Sequence, residues 1–280
     1  MLVDKPPGPT SHDVVDSVRR VTGVRRIGHA GTLDPFASGL LIVLVGRATR
    51  LARFLSDLAK RYTGSMRLGE SRDTDDGTGT VTASSSAWHR VSTDAVRAAM
   101  QSLTGRVTQH PPVYSAKKVD GERAYRLARR GATVTLFPRE VEVHRFTLVG
   151  HDGPNIRFAA DVGSGVYLRA LARDLGENLG CGAYLAELRR VSVGAFQIED
   201  AVRLDALREP LALSRPAELV RHLPAVHVDS ATRQAVAHGR PIAAVPGMPG
   251  PVALFWGDQL MAVAMREAGV LKPRVVLQDG

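Results

Sequence analysis

A chain of 280 residues with 44% hydrophobic residues carries enough apolar material for a proper core, on the scale of one large domain or a main domain with a small companion, and this excludes a disordered chain, a collagen-like repeat and a disulfide-stapled scaffold. Lys+Arg 37 against Asp+Glu 28 leaves a net charge of +9, and only five of the 37 cations are lysines, the rest being arginines. Guanidinium groups clasp phosphate oxygens and stack on bases, so this balance favours a polyanionic partner such as nucleic acid, with codon bias as the plain alternative.

In chain order, the start MLVDKPPGPT has no apolar leader core, and no run of 18 apolar residues follows anywhere, which fits a soluble cytoplasmic protein. Thr10 and Asp13 have capping-box spacing ahead of Val14, Val15, Val18 and Val21, which predicts a helix to Thr22 with Gly23 as its stop. Leu40 to Val45 is a continuous apolar run, short enough for a buried strand. Val96, Ala99, Met100 and Leu103 recur at helical spacing after Ser92 and Thr93, ending by Gly105. Segments 141–149 and 156–162 have the pattern of neighbouring strands joined by the turn-rich stretch between them. Leu168, Leu171, Leu175 and Leu179 mark one face of a helix ending at Gly180, with Arg169 off that face. From 226 to 280, turn signals alternate with short β-like runs such as Val252 to Phe255, predicting a small β-rich appendage.

The charge is unevenly placed. Between Arg25 and Arg61 seven cations face two anions, and between Arg106 and Arg145 nine face four, so each stretch carries +5. The 226–280 stretch is nearly neutral, with five cations against four carboxylates. A polyanion is therefore expected to be held upstream.

One cysteine, Cys181, sits among small residues; alone it cannot build a disulfide, a cysteine zinc site or an iron–sulfur cluster. A phosphate loop, a dinucleotide fingerprint, a zincin helix and a hydrolase elbow are all missing from the sequence. Asp73-Thr74-Asp75-Asp76-Gly77 imitates the start of a calcium loop, but Gly77 and Ser84 occupy positions where ligands belong. What remains is Gly28-His29-Ala30-Gly31-Thr32-Leu33-Asp34-Pro35-Phe36-Ala37-Ser38-Gly39-Leu40-Leu41: glycines around one Asp and one His, in front of a buried strand, with Pro35 fixing the turn after the carboxylate.

This stretch resembles the signature GHxGxLDPxAxGxL of the bacterial tRNA pseudouridine synthase B family, with all nine fixed positions present. Companion elements follow in order: Asp4-Lys5-Pro6 with Gly8 and Ser11, Lys60-Arg61-Tyr62, Tyr114-Ser115-Ala116-Lys117, Tyr167-Leu168-Arg169 and Leu188-Arg189-Arg190, so the resemblance spans about residues 2–200. One departure is Gly163-Ser164-Gly165-Val166-Tyr167 where the family often has Ser-Lys-Gly-Thr-Tyr, so that a lysine is absent.

The resemblance implies an α/β (α+β) architecture: a catalytic domain over 1–222 with a mixed, largely antiparallel sheet and a central cleft, an RNA-gripping insertion over about 104–145, and a small PUA-like RNA-binding domain over 226–280. It implies isomerisation of uridine 55 in the tRNA T loop to pseudouridine. Asp34 is then the catalytic carboxylate, Arg169 its ion-pair partner and Tyr62 the ring on which the target base stacks. His29, Gly31, Thr32, Lys5, Tyr167, Lys117 and Lys118 are the expected substrate-binding residues, His29 filling the space left by the flipped base. The reaction breaks N1–C1′, turns the uracil and makes C5–C1′ without redox change, so no cofactor and no metal are expected. A water-poor site favours a neutral carboxyl group and an adjacent guanidinium favours the carboxylate, which is a physical reason for Arg169. The expected partner is the T arm of tRNA, contacted by a cytoplasmic monomer with no membrane and no obligatory protein partner. The alternatives are a non-catalytic tRNA-folding chaperone and a synthase acting on another RNA site.

Overall fold

The computed structural model describes residues 1–114, 118–119, 122–123, 127, 130, 132, 136–209, 211, 213–248 and 250–277, without the side chains of 118–119 and 122–123. Strand β1 (Leu2–Lys5) leads into helix α1 (Ser11–Thr22). The helix begins where the sequence signals it: the Thr10 side chain accepts from the Asp13 amide, the Asp13 carboxylate accepts from the Thr10 amide, and Gly23 ends the helix at φ +65°. Val14 and Val18 are buried against Met1, Val3, Leu41 and Val43.

Strands β2 (Ile27–Ala30) and β3 (Ser38–Val45) form a hairpin. The apolar continuity of β3 has a direct cause, since both its faces are covered. Leu41 and Val43 meet α1, while Leu40, Ile42 and Leu44 meet Leu51, Phe54 and Leu55 around helix α2 (Ala52–Ser56). Strand β4 (Lys60–Leu68) alternates instead, burying Tyr62, Met66 and Leu68 and exposing Arg61, Thr63 and Arg67. A small ribbon of β5 (Glu70–Arg72) and β6 (Val81–Ser84) precedes helix α3 (Thr93–Ser102), whose N-terminus is capped by Ser92.

Strands β7 (Gly105–Gln109), β8 (Arg139–Asp152) and β9 (Asn155–Val162) follow, then helix α4 (Leu168–Asn178), β10 (Ala183–Val193), β11 (Phe196–Gln197) and β12 (Val202–Arg203). The main sheet runs β12-β1-β3-β10-β4-β9-β8-β7, with β2 added on β3 and β11 on β10. Within the main sheet, and among the described residues, only β1/β12 and β3/β10 pair in parallel, so the sheet is mixed and largely antiparallel. The ends of the expected insertion belong to this sheet: Gly105 to Gln109 pair with Val143 back to Arg139. One core lies between the Tyr62 face of the sheet and helices α3 and α4, built from Tyr62, Met66, Phe158, Met100, Leu171 and Leu175 among others.

Gly39 marks the closest approach of two backbones. Its φ is +106°, and a Cβ there would sit 2.2 Å from the Arg190 carbonyl oxygen. No other residue type fits at this parallel β3/β10 contact.

A second sheet is made by β13 (Ala225–His227), β14 (Ile242–Ala243), β15 (Val252–Trp256), β16 (Gln259–Glu267) and β17 (Val270–Val276), in the order β13-β15-β16-β17-β14. It also carries a helix over Ser230–Ala237, which the sequence pattern did not announce. Ala253, Leu260, Val263 and Val275 join Leu40, Ile42 and Leu44 in one hydrophobic cluster. Arg47 and Arg50 donate to the carbonyls of Leu277 and Val276 at 3.3 and 2.7 Å across the same junction.

Candidate active site

The β2–β3 connection, residues 31–37, is held by every element around it. Ser11, at the head of α1, donates its hydroxyl to Leu33 O at 3.1 Å and accepts from Leu33 N at 2.9 Å. Gly8 N donates to Pro35 O at 2.8 Å, and Ala37 N closes a turn on Asp34 O at 3.1 Å. From β10, Arg190 donates to Leu40 O at 2.8 Å, Gly31 O at 3.0 Å and Thr32 O at 3.5 Å. The backbone on both sides of Asp34 is therefore fixed, while its carboxylate remains 37% exposed.

Arg169, on the first turn of α4, aims a buried guanidinium at that carboxylate. Its Nε reaches Asp34 Oδ2 at 2.9 Å and its Nη2 reaches Oδ1 at 3.3 Å, a two-pronged ion pair that sets the plane as well as the position of the acid. The remaining donors go to Thr74 O and Tyr114 O, each at 3.0 Å, with Asp76 Oδ2 at 3.6 Å. A cation at the positive end of a helix is disfavoured by the backbone dipoles, and the two carboxylates offset this. The Asp73 to Gly77 loop thus faces arginines. Asp76 accepts from Thr74 and Thr78 hydroxyls, and Asp75, at φ +60°, pairs with Arg173 at 3.0 Å. Burial pushes the Asp75 carboxyl up to about 6, against the pull of Arg173 and Arg169.

Asp34 opens onto a cavity of about 310 Å³ lined by Gly31, Thr32, Tyr62, Tyr167 and Arg169, and further by Lys60, Leu188 and Arg190. This is the small end of the range for ligand cavities. Tyr62 belongs to the core and to the cavity wall at once, since only 7% of it is exposed. Tyr167 is fixed through its backbone, its N–H donating to Gln109 Oε1 at 3.0 Å and its carbonyl accepting from Gln109 Nε2 at 3.3 Å.

Six of the residues singled out from the sequence, Asp34, Tyr62, Arg169, Gly31, Thr32 and Tyr167, meet at this cavity. Two others do not line it. Lys5 is fully buried and spends its three N–H groups on the carbonyls of Pro6, Pro9 and Pro35, so it braces the Asp34 turn from behind. Burial lowers its pKa to about 8. His29 lies in β2, opposite Val43. Lys117 is outside the described residues, as is the Lys118 side chain. Sequence reasoning assigned nothing to Arg190, Asp76 or Gln109. The Leu188-Arg189-Arg190 element and the acidic run 73–76 were the available signals for the first two.

The fold is that of the pseudouridine synthases. Structures of similar fold include an H/ACA RNP bound to a substrate RNA containing 2′-deoxyuridine, at TM-score 0.74 and 25% identity over 99% of this chain and 84% of that one. A Cbf5-Nop10-Gar1 complex matches at TM-score 0.75 and 26% identity, over 99% and 83%. The chain belongs to the TruB family of pseudouridylate synthases: the profile of that family's N-terminal domain matches residues 19–168, and that of the tRNA pseudouridylate synthase B C-terminal domain matches 169–224. Its relatives include the tRNA pseudouridine synthase B of Thermobifida fusca (strain YX), 45% identical over 99% of this chain and 97% of the relative, and that of Mycobacterium ulcerans (strain Agy99), 42% identical over 99% and 93%.

Proposed function

We propose that the chain converts uridine 55 in the T loop of tRNA to pseudouridine, with Asp34 as the catalytic carboxylate. The observation that carries this reading is the two-pronged Asp34–Arg169 pair at the mouth of a cavity walled by Tyr62. Relatives named tRNA pseudouridine synthase B, matching nearly end to end, support tRNA as the substrate.

A uridine inside a folded loop is stacked and out of reach, so it enters the cavity flipped out of its stack. Tyr62 offers a flat face to the extruded base. Asp34 is oriented by Arg169 and assists departure of N1 from C1′, whether by attack on sugar or base or by taking the C2′ proton. The uracil turns within the closed space, C5 bonds to C1′, C5 gives up its proton and N1 gains one, so atoms balance with no added reagent. The Tyr62 hydroxyl assists the C5 proton transfer. His29 takes the space left by the base, and Lys117 and Lys118 hold the RNA backbone without reading sequence. Residues 1–222 form the catalytic domain, with the RNA-gripping insertion over about 104–145, and 226–280 a small PUA-like RNA-binding domain. The enzyme works as a cytoplasmic monomer; among the described residues no helix is long and apolar enough to cross a membrane.

The test is release of C5-bound tritium from tRNA transcripts carrying labelled uridine, wild type beside Asp34→Asn. Wild type releases label from position 55 alone, and the variant binds the same tRNA without releasing it. If wild type binds tRNA and releases none, the chain is a binding or folding factor; release from another position moves the target site.

A further inference from the structure

One end of the cavity carries charge that the isomerisation chemistry does not use. Lys60 opens β4 and lies on the same strand face as Tyr62, two residues away, and both line the cavity. Two strand residues span roughly 7 Å. Two of the three ammonium protons are placed on Ser56 O and Leu58 O, at the end of α2, which pins Nζ and leaves the third for the cavity. Beside it stands Arg190, 1% exposed, whose donors meet only the backbone carbonyls of Leu40, Gly31 and Thr32. Neither cation has a carboxylate within ion-pair distance among the described residues. Asp34, the acid of the cavity, is engaged by Arg169. Desolvation and then the Arg190 charge hold the Lys60 pKa down at about 8, with Asp57 pulling the other way.

Two part-buried like charges without a counter-ion are costly, and an anionic ligand group placed between them removes the cost. A nucleotide brought to this cavity offers one kind of formal anion, its phosphodiester linkages. With the base on Tyr62 and C1′ at Asp34, a linkage flanking the nucleotide falls within one nucleotide's length of Tyr62, which is the distance at which Lys60 stands. We propose that Lys60, backed by Arg190, seats a phosphodiester oxygen of a linkage flanking the flipped uridine, so that the cavity selects a nucleotide within a chain over a free base or nucleoside. This rests on the nucleotide-flipping reading above and names a contact within it.

The full chain is compared as wild type, Lys60→Met and Lys60→Arg on tRNA transcripts, for KM, kcat and Kd. A charge-assisted contact of this kind corresponds to about tenfold or more in affinity. Lys60→Met therefore raises KM and Kd about tenfold at unchanged kcat, and lowers the slope of log Kd against log salt by just under one. Lys60→Arg restores both. In wild type KM rises as pH climbs through about 8, where the lysine loses its charge; the groups facing it are Arg190 from β10, Asp57 after α2, Asp34 from the β2–β3 loop, Tyr62 beside it and Tyr167 before α4. In Lys60→Arg that rise is gone.

The deciding arm replaces each linkage flanking the target uridine in turn by a neutral methylphosphonate. At one of the two, wild type loses as much affinity as Lys60→Met loses on natural tRNA, and Lys60→Met loses nothing more. Losses that add at both linkages overturn the proposal, as does a fall in kcat with KM and Kd unchanged, which assigns Lys60 a structural role. If Lys60→Met does not fold, wild type and Lys60→Arg on the same substituted RNAs and across the pH range decide the matter. Because Kd is read without turnover, failure of this contact is distinguishable from failure to make pseudouridine.

Discussion

Arg169 has acceptors on four residues within hydrogen-bonding distance or close to it, Asp34, Thr74, Asp76 and Tyr114, 135, 95, 93 and 55 residues away in the chain. Replacing it by Met leaves Asp76 buried without its cation and Asp34 without its guide. A broken buried pair costs about 3 kcal/mol or more, so Arg169→Met lowers the urea midpoint clearly. Arg169→Lys keeps the charge but cannot span both carboxylate oxygens, and its kcat falls by about a hundredfold in the tritium assay with less loss of stability. Asp75 supplies a pH signature. Its carboxyl is raised in the folded state from 3.8 to about 6, so the native state holds the proton more tightly than the unfolded chain does. The contribution to stability is therefore greatest below about 4, declines as pH rises towards about 6 and is level above that. Urea titrations of wild type and Asp75→Asn from pH 4 to 7 differ by a curve of that sign. At this scale the sequence singles out Asp34, Tyr62 and Arg169, which meet at one cavity, because a family pattern isolates them. Arg190 was marked only by its place in Leu188-Arg189-Arg190 and Gln109 not at all, because their work is to bond backbone groups 150 and 58 residues distant, which no local pattern assigns.

Among the elements, α1 has two jobs divided between adjacent residues. Thr10 caps the helix at an exposed position, and Ser11 is buried and ties the helix to Leu33, next to the catalytic candidate. Thr10→Ala costs about 1 kcal/mol of stability with kcat unchanged. Ser11→Ala leaves the Leu33 amide unpaired in a buried place, costs about 1–3 kcal/mol and lowers kcat as well. Denaturation midpoints beside initial rates for the two variants separate the roles. Helices α1, α3 and α4 and strand β3 follow from the sequence because caps and apolar periodicity agree there. The helix at Ser230–Ala237 escaped because it is capped by Asp229 but buries a single residue, Val236, so its amphipathic face is too thin to read. The pairing of Gly105 to Gln109 with Arg139 to Val143 could not be read from the sequence for a different reason: Glu140, Glu142 and His144 alternate along exposed positions of β8, which resembles a solvated loop until the pairing partner is known.

At the scale of the whole molecule, the C-terminal sheet shares one hydrophobic cluster with β3 and α2. Composition alone made it an appendage. Its loss would bare the Leu40, Ile42 and Leu44 face of the strand that follows Asp34. A chain ending at residue 224 is expected to be poorly soluble and inactive, and calorimetry of the full chain is expected to give one cooperative transition; two well-separated transitions would contradict the shared core.

The sheet order gives synthesis on the ribosome a schedule. Strand β3 is complete by Val45, with α1, β1 and β2 already made, but the parallel neighbour that pairs with Ser38 and Gly39 begins at Ala183, and the Leu40, Ile42 and Leu44 face waits for part of its cover on strands beyond Ala225. At elongation rates of about 5–20 residues per second, the most apolar segment of the chain spends on the order of ten seconds or more outside the exit tunnel with one face only partly covered. The same interval separates Asp34 from Arg169 and Arg190, so no part-made chain has a formed cavity. A cell making this protein at speed must shield that strand in the meantime, and the segment 38–45 is where a nascent-chain chaperone would find its grip.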